Sequence, residues 1–199
     1  STPLYSSAAS DVYKRQMKNY VYLLLINAIL IPGCTSTKKS FEELAPEVLL
    51  SNSDSLLKAS PNNTTLINSI IDARLNMAQK NGDLSHYHEV LRLAPNNPTA
   101  RYYIFMDEGR KHHEKEYKNG QWEAIQSFSK ASAIIDTLGE PHFWIGKAYE
   151  KKDTMDFELA LEAYDKSLEL YLSKELRARV LTKRKALIKR RQTYEEFWK

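Results

Sequence analysis

The amino-acid sequence predicts an all-α chain assembled from repeated antiparallel helix pairs. Three observations predict it. The motif Ser60-Pro61-Asn62-Asn63 returns as Ala94-Pro95-Asn96-Asn97, with the two prolines 34 residues apart. Six glycines and seven prolines in 199 residues are too few for a turn-rich β-sandwich, and Leu, Ile, Ala, Lys and Glu dominate instead. Between the turns, apolar residues recur at helical spacing.

Taken in chain order, residues 1–16 (STPLYSSAASDVYKRQ) are expected to be a non-native leader. They place a polar stretch ahead of Met17, which opens a well-formed export signal, and such signals work from the N-terminus. The stretch is also similar to translated adapter sequence from assembled sequencing fragments. Residues 17–33 then read as a signal peptide. Lys18 supplies the positive start, and residues 20–31 supply 12 mostly apolar residues, short of the roughly 20 needed to span a bilayer. The segment ends in Ile31-Pro32-Gly33-Cys34, which resembles a bacterial lipobox, although Pro32 departs from the usual small residue. The resemblance implies that Cys34 is diacylated and becomes the mature N-terminus. Two acyl chains anchor stably where one does not. The other readings are an ordinary signal peptide with a coincidental cysteine, or a buried N-terminal helix. Cys34 is the chain's one cysteine, so neither an intramolecular disulfide nor a Cys-based zinc site can form. Residues 34–40 read as a polar tether, and the lipoprotein reading implies a bacterial cell envelope. Within it, the periplasmic side of either membrane and the cell surface all fit.

Residues 41–173 carry the repeat. Proline disfavours helical backbone in the residue before it, so a helix stops ahead of Pro61 and Pro95. Asn fits the following turn, and Pro98 is a favoured first residue for the next helix. The segment from Phe41 to Lys58 ends like a second helix without a first and is expected to be a cap or half repeat. Residues 174–199 hold ten basic and three acidic residues, net +7, on a chain of net +4. They predict a closing helix with Leu176, Val180, Leu187, Tyr194 and Trp198 along one face.

The 34-residue period and the Pro-Asn-Asn ending resemble the tetratricopeptide repeat. Ile145-Gly146, Tyr149, Ala160 and Tyr164 match that family's pattern, with Ser167 where it usually has Ala. Ala124, Phe128 and Ala131 match its second helix in a longer repeat of 41 residues. Here Ile104-Phe105 stands at the family's Leu-Gly pair, with bulky Phe105 in place of a small residue. The resemblance covers residues 47–172. It implies a tetratricopeptide-like α-solenoid of antiparallel helix pairs with a C-terminal capping helix.

Carried across residue by residue, the family's groove positions are Tyr102, Met106 and Arg110 in the long repeat. In the next repeat they are Phe143, Lys147, Glu150 and Lys151. Aromatic centres with charged edges suit a protein or peptide partner; the alternative is that Tyr102 and Phe143 merely cover neighbouring helices. On the last helix Arg177, Arg184 and Arg191 recur every seven residues within an apolar arc and need partners or an exit to water. Glu158, Glu162, Asp165 and Glu169 share one face of the preceding helix and can meet them, within one chain or between two. The other reading sets the arginines against anionic lipid or an acidic partner.

No catalytic constellation emerges: there is no Gly-rich phosphate loop and no nucleophile elbow, so no enzymatic activity and no cofactor are expected. His86 and His88 are two apart and His112 and His113 are adjacent, so neither pair shares a helical face. His112 and Glu116 do, but a lone His–Glu pair on a charged helix is ordinarily solvated, and His142 stands alone. No metal site is expected, and none for nucleic acid, which export argues against. The function expected is a membrane-anchored scaffold or adaptor. A small-ligand carrier or sensor, or binding to an anionic surface through the last helix, is the alternative.

Overall fold

A computed structural model describes residues 44–115 and 117–199. The leader, the signal segment, Cys34 and the tether all lie outside the described residues, as does Glu116. Among the described residues nine helices follow one another: α1 Pro46–Ser51, α2 Ser53–Ala59, α3 Thr64–Asn81, α4 Leu84–Leu93, α5 Pro98–Glu114, α6 Lys118–Ile134, α7 Glu140–Lys152, α8 Phe157–Glu169 and α9 Lys174–Phe197. From α3 onward each packs chiefly on its neighbours in the chain, while α1 packs chiefly on α3. The result is three antiparallel pairs, α3/α4, α5/α6 and α7/α8, flanked by α1–α2 and by α9. The single β-bridge among the described residues joins Leu138 to Tyr171.

The helix boundaries follow from side-chain chemistry. Asn63 and Asn97, the last residues of the two recurring motifs, cap the helices that follow. Their side-chain oxygens accept from Leu66 N at 3.1 Å and Ala100 N at 3.0 Å. Asp83 does the same for α4, accepting from Ser85 N at 2.9 Å. Gly82 ends α3 with φ +69, the left-handed conformation that glycine adopts without penalty.

The half repeat expected from Phe41 to Lys58 is broken in two. At the break, Asn52 Nδ2 and Ser51 Oγ both donate to Val48 O at 2.9 Å, and Ser53 Oγ donates to Leu50 O at 2.8 Å. Short polar side chains take carbonyls that a continuous helix would use.

Burial is local, as a quasi-one-dimensional stack requires. Leu49, Leu66, Ile70 and Ala73 form one cluster, and Ile71, Ala78, Tyr87, Val90 and Ala100 the next. Tyr102, Met106, Ala124, Phe128 and Ala131 join Ile145, Ala148 and Ala163 in a third. Phe143, Phe157, Ala160, Tyr164, Val180 and Leu187 belong to the last.

Two close approaches set the register of the pairs. A Cβ built on Gly146 would lie 2.7 Å from Tyr164 Cε1, and one built on Gly109 would lie 2.6 Å from Phe128 Cδ1. Gly109, one turn beyond Phe105, is therefore the small residue of the α5/α6 pair. Phe105 is only partly buried, at the edge of the cluster, with Lys130 Nζ 5.4 Å from its ring centroid. The extra length of this repeat thus lies partly ahead of the crossing point, which the helix-start signal at Pro98 does not locate.

Ser167, fully buried where an Ala was the family norm, donates from Oγ to Gly139 O at 2.7 Å. It ties the end of α8 to the start of α7. The capping helix α9 buries Val180 and Leu187, yet leaves Phe197 78% and Trp198 70% exposed. Its 24 residues span about 36 Å against about 20 Å for α8, so its last turns outrun the helix they would cover.

Candidate functional site

The first helices α5 and α7 and the capping helix α9 stand side by side and are cross-tied by polar contacts. Arg110 on α5 meets Glu140 on α7 at 3.5 Å. Lys151 on α7 donates to His113 O, in the last turn of α5, at 2.8 Å, a favoured place for a cation at a helix C-terminus. Arg190 on α9 reaches Glu150 on α7 at 3.4 Å. The same carboxylate accepts a short hydrogen bond from the Tyr164 hydroxyl. Burial, and then Glu150 itself, hold that phenol well above its ordinary pKa.

The α5 and α7 part of this face is where the sequence placed the groove, but it is built from different atoms, and α9, expected only as a cap, adds a third row. Tyr102, Met106 and Phe143, expected to line it, are instead buried at 2%, 1% and 1% exposure. Each helix pair has to close its own small core, and these side chains close it, as the covering alternative held. The buried Tyr102 hydroxyl has no hydrogen-bond partner among the described residues, and burial raises its pKa. Arg110, Lys147 and Glu150 are half-buried and Lys151 is exposed, so the charged part of the expected set does reach the surface.

Trp144 is the residue that sequence reading missed. Its ring stacks on Phe128 at 5.8 Å and meets His113 and Phe143 edge-on at 5.7 Å. Its indole N–H donates to Glu140 at 3.3 Å. Lys147 Nζ sits over the Trp144 ring at 3.9 Å from the centroid, a cation–π seat. Arg179 and Lys183 of α9 were missed too. Their four-residue spacing matches that of Lys147 and Lys151 across the face, whereas the seven-residue arginine period draws the eye to another edge of α9. Arg179 lies over Phe143 at 5.5 Å. Burial, then Lys183, Arg179 and Lys151, hold the Lys147 ammonium below its ordinary pKa. His113 is likewise held low, chiefly by burial, against an opposing hydrogen bond with Gln121 (2.8 Å). Gln121 is itself buried and donates to His113 O at 3.2 Å and Lys115 O at 2.6 Å, fixing the α5–α6 turn.

The arginine period faces the acidic stripe of α8 in part. Arg184 makes a two-pronged pair with Asp165, its second contact at 3.2 Å. Arg177 instead donates to Leu168 O and Leu170 O at 3.0 and 3.1 Å, closing the end of α8. Arg191 pairs within its own helix with Glu195 at 3.7 Å, and its Nε has no hydrogen-bond partner among the described residues. Glu158, Glu162, Asp165 and Glu169 line an open recess of about 970 Å³ together with Arg184 and Arg191.

Among the described residues no three His, Cys, Asp or Glu side chains gather as a metal site would require, and no helix is long and apolar enough to cross a membrane. His112 pairs with Glu123 at 2.8 Å.

Fold and site together define a helical-repeat protein of tetratricopeptide-like pairs with a polar, aromatic-seated face on its first helices. No family model matches the chain, and no curated protein matches it. Among solved structures it is similar to MamA, at 17% identity and a TM-score of 0.36, over 80% of this chain and 94% of that one.

Proposed function

We propose that this protein is a scaffold or adaptor that holds a protein or peptide partner on the face formed by α5, α7 and α9. The carrying observation is the seat at Trp144. A half-buried aromatic and a half-buried cation, Lys147, occupy the middle of a face whose remaining edges are charged. Aromatic anchors ringed by polar groups are how protein partners are held. The recess beside this seat is open rather than enclosed, which favours an extended segment over a small buried ligand. Anchoring through a diacylated Cys34, and with it a bacterial cell-envelope setting, belongs to the same proposal and rests on the Ile31-Pro32-Gly33-Cys34 motif.

The test is crosslinking in intact cells followed by recovery from membranes, comparing the native chain with Cys34→Ser. The native chain is expected in the membrane fraction with a defined crosslinked partner, and the variant in the soluble fraction. A variant that stays in the membrane sinks the anchor; a native chain that yields no position-dependent product sinks the scaffold.

A further inference from the structure

We propose that the recess between α5, α7 and α9 takes carboxylate side chains of the partner, so that the segment bound on this face is acidic. The recess holds about 220 Å³ and is lined by His113, Lys147, Glu150, Lys151 and Lys183, one row from each of three helices. Arg179 stands at its edge over the Phe143 ring.

The charge balance inside it is lopsided. Glu150 is the one acid lining the recess among the described residues, and it is already occupied by the Tyr164 hydroxyl and by Arg190. Lys151 spends one proton on the His113 carbonyl and keeps two. Lys147 rests on an aromatic face, and no carboxylate lies within ion-pair reach of Lys147, Lys183 or Arg179 among the described residues. Burial chiefly holds the Lys147 ammonium below its ordinary pKa; Lys183, Arg179 and Lys151 add to this, and Glu150 opposes it. Cations brought together from separate helices without a counter-ion form a field that a carboxylate completes.

The shape of the face selects a peptide. Three helices side by side at about 10 Å spacing make a track of roughly 20 Å, the length of about six extended residues.

This inference rests on the reading of the face as the partner site, and its test separates the two. Fluorescein-labelled hexaglutamate, hexaglutamine and hexalysine are titrated into the purified full chain and followed by anisotropy. Hexaglutamate is expected to bind at least about tenfold more tightly than hexaglutamine, and its affinity should fall with salt; hexalysine, which the acidic recess on α8 can hold, should not weaken in Lys183→Gln. Lys147→Gln and Lys183→Gln should each weaken hexaglutamate about tenfold, and Lys183→Glu should weaken it further. Lys189→Gln, which removes a cation outside the recess, should change it little. Lys183 is exposed, so its variants keep the test valid should Lys147→Gln fold poorly. Equal binding of hexaglutamine, or an equal loss with Lys189→Gln, overturns the proposal. So does a preference for phosphatidylglycerol vesicles over the peptide. If these peptides fail while crosslinking still maps the cellular partner to α5, α7 and α9, the acidic preference falls and the scaffold face stands.

Discussion

Gly109→Ala tests the register of the repeat with a change of sign. At an ordinary mid-helix position, replacing Gly with Ala stabilises by about 1 kcal/mol, because alanine orders the backbone at lower entropic cost. Gly109 lies within α5, so propensity alone predicts that gain. The structure predicts the opposite. The new methyl would sit 2.6 Å from Phe128 Cδ1 and 2.8 Å from Phe128 Cζ, roughly 1 Å inside the usual carbon–carbon separation. The ring cannot step aside: Phe128 has no exposed surface and is stacked on Trp144. Overpacking of this kind costs about 2–3 kcal/mol, which leaves a net loss of about 1–2 kcal/mol. For a folded unit of this size that lowers Tm by about 2–8 °C. Urea unfolding followed by far-UV circular dichroism reads the free energy directly. Phe128→Leu in the Gly109→Ala background should recover part of the loss, since the two sites share one contact. A Gly109→Ala protein more stable than the native chain would refute the close approach and return the small-residue position to Phe105.

Ser167→Ala removes the buried hydroxyl that donates to Gly139 O and should cost about 1–2 kcal/mol, read by the same unfolding curves. The Arg184–Asp165 pair is largely solvated, with 38% and 48% of the side chains exposed. A double-mutant cycle should therefore give a coupling below about 1 kcal/mol that shrinks with salt. Burial pushes the Tyr87 phenol up to about 12 from an ordinary 10.0, and it raises Tyr102 and Tyr164 as well. The unfolded tyrosines therefore lose their protons first. The tyrosines' contribution to stability should hold level below pH 10 and be lost as pH rises through 10 to 12. The slope should be shallower in Tyr87→Phe, and an unfolding midpoint flat across that range would contradict the burial of these rings.

What was legible in the sequence is what depends on neighbours along the chain. Asn63 and Asn97 cap helices because proline had already stopped the preceding ones, and both events are local. Gly146 and Tyr164 could be paired because their spacing lies within one repeat of ordinary length. The α5/α6 pair slipped by one turn because Pro98 marks where a helix starts, not where its partner crosses it. Tyr102, Met106 and Phe143 were misplaced for a related reason: a family's groove position faces outward only where other residues fill the core behind it. Here these side chains fill the core themselves. The face of α9 past Leu187 reads as apolar at the right spacing, but whether it is covered depends on the length of α8. Trp144, Arg179 and Lys183 gain their meaning only when three helices stand abreast, which no stretch of sequence displays.

The proposed partner site is the α5–α7–α9 side. Photocrosslinking amino acids placed one at a time in the full chain, in living cells, test it most directly. Sites at His113, Lys151 and Lys183 should yield one common product, and sites at Ser132 on α6 and Leu159 on α8 should yield none. The same product arising from α6 and α8, with α5, α7 and α9 silent, would place the partner on the opposite side.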